Sequence, residues 1–245
     1  MALALLLASP HALRAELPDF TAVEEAANDA VASGEIPGAV ILVGQGDATL
    51  YHRAFGWRRL VPEPALMTTD TVFDIASLTK PLGTTLAVMS LAERGLVDLE
   101  APLGRYLKEF KGRPLAQVTV RRLLTHSAGL VAIPPDGSVR PGFPAAARIL
   151  ALVPLDYPPG SGFQYSDTGF ILLGELVRRV SGETLDHYLE SRIFRPLGLK
   201  STWFRPPPGV LGRVAPTEYH NGRLLRGEVH DPRARALGGV AGHAG

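Results

Sequence analysis

The residues of this 245-residue chain best suited to covalent chemistry are Ser77 and Lys80, three apart in Ser77-Leu78-Thr79-Lys80. On a helix, positions i and i+3 share a face, so the lysine ammonium can reach the serine hydroxyl. A serine hydroxyl is a poor nucleophile until a neighbouring base takes its proton, and a desolvated lysine can serve as that base. The pair follows Thr71-Val72-Phe73-Asp74-Ile75, which reads as a short strand or extended entry. From Ser77 to Arg94 apolar residues recur at helical spacing (Leu78, Pro81, Leu82, Leu86, Val88, Met89, Leu91). Pro81 falls in the first turn, where a missing N–H costs little. Ser77 is therefore expected at a helix N-terminus, where the dipole favours developing negative charge. On this segment alone the alternative stays open that Ser77 is only an N-cap and Lys80 a solvated first-turn charge.

A second constellation, Tyr165-Ser166-Asp167, follows a Pro/Gly-rich approach (Pro158, Pro159, Gly160, Gly162). It precedes a strongly apolar helix carrying Phe170, Ile171, Leu172, Leu173, Leu176, Val177 and Val180. Further segments are the run from Val118 to Leu130, Phe163-Gln164-Tyr165-Ser166-Asp167, Leu173-Gly174-Glu175 with Val180-Ser181-Gly182, and Pro196-Leu197-Gly198-Leu199. In this order, over nearly all of residues 20 to 245, they resemble the serine β-lactamase and penicillin-binding-protein superfamily. The likeness is to its class C-like branch of β-lactamases, D-alanyl-D-alanine carboxypeptidases and esterases.

The resemblance implies an α/β (α+β) fold: an antiparallel sheet with a flanking helix and a large helical insertion, with ligand bound between sheet and insertion. It implies a serine hydrolase of amide, peptide or ester bonds in which Ser77 forms the acyl-enzyme. Lys80 and Tyr165 would share the proton shuttle, with no cofactor and no metal. The alternative on the same fold is a non-catalytic or truncated cell-envelope binding module. Asp167 departs from the commoner asparagine at its position. A carboxylate accepts hydrogen bonds but cannot donate to a substrate carbonyl. Asp167 is therefore expected to pair with Lys80 or to cap the following helix. Peptide or ester substrates are favoured over β-lactams.

Composition frames these readings. Twenty-five basic and 24 acidic residues leave a net charge of +1, which gives no reason to expect a nucleic-acid partner. Absence of cysteine excludes disulfides, thiolate catalysis and Cys-based metal sites. The expected partner is a small-molecule or peptidoglycan-type substrate, and no transmembrane span is expected. Residues 1–15 read either as a clipped export signal lacking a basic start or as an ordinary apolar N-terminus; the first is favoured, and with it a periplasmic or other extracytoplasmic site over a cytoplasmic one. Residues 16–245 read as one domain: sheet part about 16–75, helical region about 76–205, and a start of the return to sheet at about 206–245.

Within that domain, Thr21-x-x-Glu24 suggests a capping box on a helix running to about Ser33. Gly38–Val43 and Thr49–Phe55 suggest a hairpin around Gly44-Gln45-Gly46-Asp47. A Pro-rich loop from 131 to 162 is expected to hold a short helix near Ala145–Leu152. His126, in Thr125-His126-Ser127-Ala128-Gly129, lies one residue from a Gly-x-Ser-x-Gly elbow but without the strand an elbow needs. It reads as a buried hydrogen-bonding turn residue rather than a base. His220, His230 and Asp231 read as surface residues of a polar loop. The Gly-rich segment Gly238–Gly245 does not look like a domain end, and the chain is expected to be C-terminally truncated. On that expectation His243 sits at a frayed end, far from Ser77.

Overall fold

The computed structural model describes residues 18–135, 139, 147–148 and 150–245. The segment read as an export signal, residues 1–15, lies outside them, as do 145, 146 and 149 of the short loop helix, although Ala147, Arg148 and Leu150 are helical. Two compact units divide the chain, Met1–Thr71 and Val72–Gly245.

In the first unit helix α1 (Thr21–Ala32) precedes the antiparallel pair β1 (Gly38–Gln45) and β2 (Ala48–Arg59), extended by the short β3 (Ala65–Leu66). The expected hairpin forms with Gly38 opposite Gly56 and Gln45 opposite Ala48. Tyr51 and Phe55 lie on one face of β2, as period-two geometry requires, and make a small core with Ala27 of α1. The capping box does not form. Asp19 accepts from both the amide (2.9 Å) and the hydroxyl (2.6 Å) of Thr21. Glu24, freed from capping, accepts from Tyr51 Oη at 3.1 Å and pairs with Arg53. An upstream carboxylate outcompetes the Thr-x-x-Glu pair because it is the stronger acceptor for the first orphan amides.

The second unit is mostly helical. No strand forms over residues 71–75; a single parallel bridge joins Val72 to Val214, and Ile75 is not extended (φ −93°, ψ 1°). The expected helix from Ser77 appears in three pieces: a 3₁₀ turn (Ala76–Leu78), a π-helical segment (Lys80–Thr85) and α2 (Leu86–Glu93). α3 (Val120–Leu124) is capped by Thr119. α4 (Asp167–Ser181) starts at Ser166, whose hydroxyl accepts from Gly169 N at 3.1 Å, and ends at Gly182 with φ 77°. α5 (Leu185–Leu189), the ribbon β4 (Tyr219–His220) with β5 (Arg223–Leu224), and α6 (Pro232–Ala236) complete it. Phe170, Ile171, Leu172, Leu173, Leu176 and Val177 are all buried, which makes α4 the central post of the core.

One charge is buried with that post. Glu175, 1% exposed, takes a two-pronged contact from Arg178 (2.8 and 2.7 Å) and another from Arg179 (2.6 Å), which also reaches Glu109. A buried carboxylate is tolerated only while its partners satisfy it. Replacing Arg178 and Arg179 together by methionine is expected to lower stability by about 3–5 kcal/mol. Urea denaturation measures the loss, and Glu175→Gln, which removes the charge itself, should cost less.

Candidate active site

Ser77 sits in the middle of the 3₁₀ turn, exposed, immediately after Ala76, whose φ is +48°. A non-glycine residue in the left-handed region is strained, and here it turns the chain between the 71–75 entry and the helix. Asp74 helps to hold that turn: its Oδ1 accepts from Ala76 N at 2.8 Å. Lys80 opens the π-helical segment and is 2% exposed. Its Nζ donates to Ser77 Oγ at 3.0 Å and to the carbonyl of His243 at 2.9 Å. Asp167 Oδ1 stands 2.7 Å from the same nitrogen with no aligned hydrogen bond, so that contact is charge against charge. Of the two roles expected for Asp167, it takes the pairing with Lys80; capping of α4 falls to Ser166.

Tyr165 approaches Lys80 through its ring, whose centroid lies 4.7 Å from Nζ, a cation–π contact. His126 places that ring. Its carbonyl accepts from Gln164 N and its Nδ1 from Ser166 N, both at 2.9 Å, and its imidazole stacks on Tyr165 at 4.4 Å. Both amides flanking Tyr165 are thus tied to one residue, which has φ +56°. His126 is the hydrogen-bonding turn residue expected from the sequence, half-buried rather than buried. A cavity of about 570 Å³ opens over Ser77, walled by Lys80, Leu124, His126, Tyr165 and Phe170 among others.

Burial, together with the neighbouring Lys80 charge, pushes the His126 imidazole below its ordinary value, with Asp167 opposing the shift. The unfolded chain therefore binds a proton near pH 6.5, where the folded chain does not yet do so. Stability is complete above that value and is lost as pH falls beneath it. A fall in melting temperature between about pH 7 and pH 5 is expected to be shallower in His126→Asn. Asparagine tolerates the positive φ and keeps an acceptor for Ser166 N, but does not titrate.

The largest departure from expectation is at the Gly-rich end. His243 is not frayed and far from Ser77. It is 1% exposed, and its carbonyl binds Lys80. Nor is it on a strand. Residues 242–245 lie as an irregular strap along the 79–85 segment: Thr84 Oγ1 donates to Gly242 O (2.7 Å), Lys80 to His243 O and Thr79 Oγ1 to Gly245 O (3.3 Å). The residues read as surface are involved as well. Asp74 Oδ2 accepts from His230 N at 2.8 Å, and Asp231 Oδ1 accepts from Ala234 N at 2.7 Å and His243 Nε2 at 3.0 Å. His220 alone of the three is exposed, on β4. The sequence signal for the strap was its density of glycines, which permits close backbone approach.

Chemically, the arrangement presents one exposed hydroxyl to a cavity, with a buried amine within hydrogen-bond reach and a carboxylate and an aromatic ring on the amine's other sides. Among the described residues no helix is long and apolar enough to cross a membrane.

Comparison with known proteins bears on the family and the fold. A provisionally named D-alanyl-D-alanine carboxypeptidase of Salmonella agona (strain SL483) is 31% identical over 248 aligned residues, covering 85% of this chain and 56% of the relative. The chain thus spans about half the length of the curated relatives it matches. Among solved structures, a class C β-lactamase from Rhodobacter sphaeroides superposes with a TM-score of 0.72 at 27% identity, covering 87% of this chain and 58% of the other. EstCE1, a hydrolase with promiscuous acyltransferase activity, gives 0.72 at 25% identity, covering 91% and 68%. Residues 23–245 match the Beta-lactamase family model, and with a β-lactamase-like fold of antiparallel sheet and helices the chain belongs to that family.

Proposed function

We propose that the chain carries the acylation centre of a serine hydrolase, with Ser77 as nucleophile. The observation that carries this reading is the 3.0 Å contact between the exposed Ser77 hydroxyl and the buried Lys80 ammonium beneath the cavity. Ser77 Oγ bonds to the substrate carbonyl carbon as its proton passes into the Lys80–Tyr165 pair. That pair returns a proton to the departing amine or alcohol as the carbonyl–heteroatom bond breaks. Water then cleaves the Ser77 ester and releases the acid. An ammonium has no lone pair, so the pair takes the Ser77 proton only when one of its members, Lys80 as amine or Tyr165 as phenolate, is already deprotonated. Asp167 and the His243 carbonyl hold the amine in place through that exchange.

The substrate class follows from Asp167. A carboxylate paired with Lys80 offers no donor to a substrate carbonyl, so D-alanyl-D-alanine-type peptides or short-chain esters fit better than β-lactams. The carboxypeptidase name of the Salmonella relative and the hydrolase title of EstCE1 support that choice. A peptidoglycan-type substrate would place the enzyme outside the cytoplasmic membrane, which cell fractionation checks directly.

The test is covalent labelling. The full-length protein is incubated with a fluorophosphonate and the adduct is mapped by mass spectrometry, with Ser77 as the expected site. An adduct at Ser127, or labelling that survives Ser77→Ala, would overturn the assignment. Asp167→Asn is expected to speed acylation by a fluorescent penicillin; a slower reaction would show that the carboxylate is needed to orient Lys80.

A further inference from the structure

The Ser77–Lys80 pair is held from behind by groups that belong to neither residue. Asp74, with a side chain 10% exposed, uses both oxygens on backbone amides: Oδ1 on Ala76 N at 2.8 Å and Oδ2 on His230 N at 2.8 Å. His230 Nδ1 also lies 3.3 Å from Oδ2. The next residue, Asp231, uses one oxygen for two donors, Ala234 N at 2.7 Å and His243 Nε2 at 3.0 Å. An ionised carboxylate only accepts, so Nε2 carries the proton of that bond. Burial pushes the Asp231 carboxyl up, but the hydrogen bond from His243, with those from nearby amides, outweighs it and holds the group below the usual carboxylate range. The His243 ring makes no other hydrogen bond, because its Nδ1 is buried without a partner among the described residues. Its carbonyl is the one that fixes Lys80.

We propose that Asp74, His230, Asp231 and His243 form a positioning brace: the dipeptide His230-Asp231 ties the turn before Ser77 to the strap that holds Lys80, and so sets nucleophile and amine in register. Asp74 and Asp231 are positioning residues, since neither faces the cavity over Ser77. The inference rests on the proposed roles of Ser77 and Lys80.

The two aspartates differ in a way that makes the brace testable. Asp231 serves Ala234 N and His243 Nε2 with one oxygen, so an asparagine can keep those two bonds. Asp74 needs both oxygens, so an asparagine there must turn its NH₂ against an amide donor. In the full-length protein, fluorophosphonate labelling of Ser77 is followed over a range of reagent concentrations, which separates the limiting rate from the reagent affinity. Asp74→Asn and Asp231→Ala are expected to lower the limiting rate by about 10–100-fold, the scale set by a misplacement of roughly 1 Å, with affinity within about threefold of wild type. Asp231→Asn is expected to restore most of the rate lost in Asp231→Ala. A wild-type limiting rate in Asp74→Asn would overturn the brace, as would Asp231→Asn being as slow as Asp231→Ala. If Asp74→Asn does not fold, the Asp231 pair decides alone. Failure of wild-type protein to label at Ser77 would sink the proposed function instead, so the two failures are distinguishable.

Discussion

Ser77→Ala is expected to abolish acylation, and Lys80→Ala to come close to it, with each lowering turnover by about 10⁴–10⁶-fold. The double variant should be hardly worse than either single one, because a nucleophile and the group that moves its proton act as a unit. Burst kinetics with an activated ester measure the acylation step directly. The two variants should differ in stability. Ser77 is exposed and its loss should leave the melting temperature near that of wild type. Lys80 is buried against Asp167, and removing it leaves that carboxylate without its counter-charge and the His243 carbonyl without its donor. Lys80→Met keeps the stem volume and removes the ammonium. It should be as inactive as Lys80→Ala, which separates lost chemistry from lost packing.

Gly242→Ala is expected to damage both stability and activity although Gly242 touches no reacting atom. A Cβ at Gly242 would stand 2.1 Å from the carbonyl oxygen of Phe170 and 3.0 Å from the amide of Gly174, both backbone atoms of α4. A helix backbone does not give way as a side-chain tip does, so the strap must lift. Lifting it breaks the Thr84–Gly242 bond and pulls the His243 carbonyl from Lys80. A stability loss of about 2–4 kcal/mol is expected, in the range of overpacking and lost buried hydrogen bonds. Turnover should fall about 10²-fold in the fraction that remains folded. Thermal unfolding and active-site titration of the same sample measure the two effects. A Gly242→Ala protein with wild-type turnover would mean that the strap does not govern Lys80.

Local physics made much of this site legible in the chain itself. The i,i+3 spacing of Ser77 and Lys80 puts them on one helical face whatever the rest of the fold does, and the structure brings them to 3.0 Å. The apolar run after Tyr165 becomes α4, and the Gly-Asp turn becomes the β1–β2 hairpin, because periodicity and turn chemistry act over a few residues. The pairing of Asp167 with Lys80 follows from charge once both sit at one cleft. The division of the Ser77 helix into 3₁₀, π and α pieces was not legible, nor was the strap whose three carbonyls accept from Thr79, Lys80 and Thr84 along it. The brace was hidden for a related reason. Asp74 and His230 are 156 positions apart, and Lys80 and His243 are 163 apart. Contacts at such separations leave no period in the sequence. Several of the partners are backbone amides and carbonyls, which every residue type carries alike. Residue types and their spacing determined which groups could react and which helix would bear them. Only the tertiary structure decided which carbonyls and carboxylates hold those groups in register, because that choice depends on where the folded backbone passes rather than on what side chains it carries.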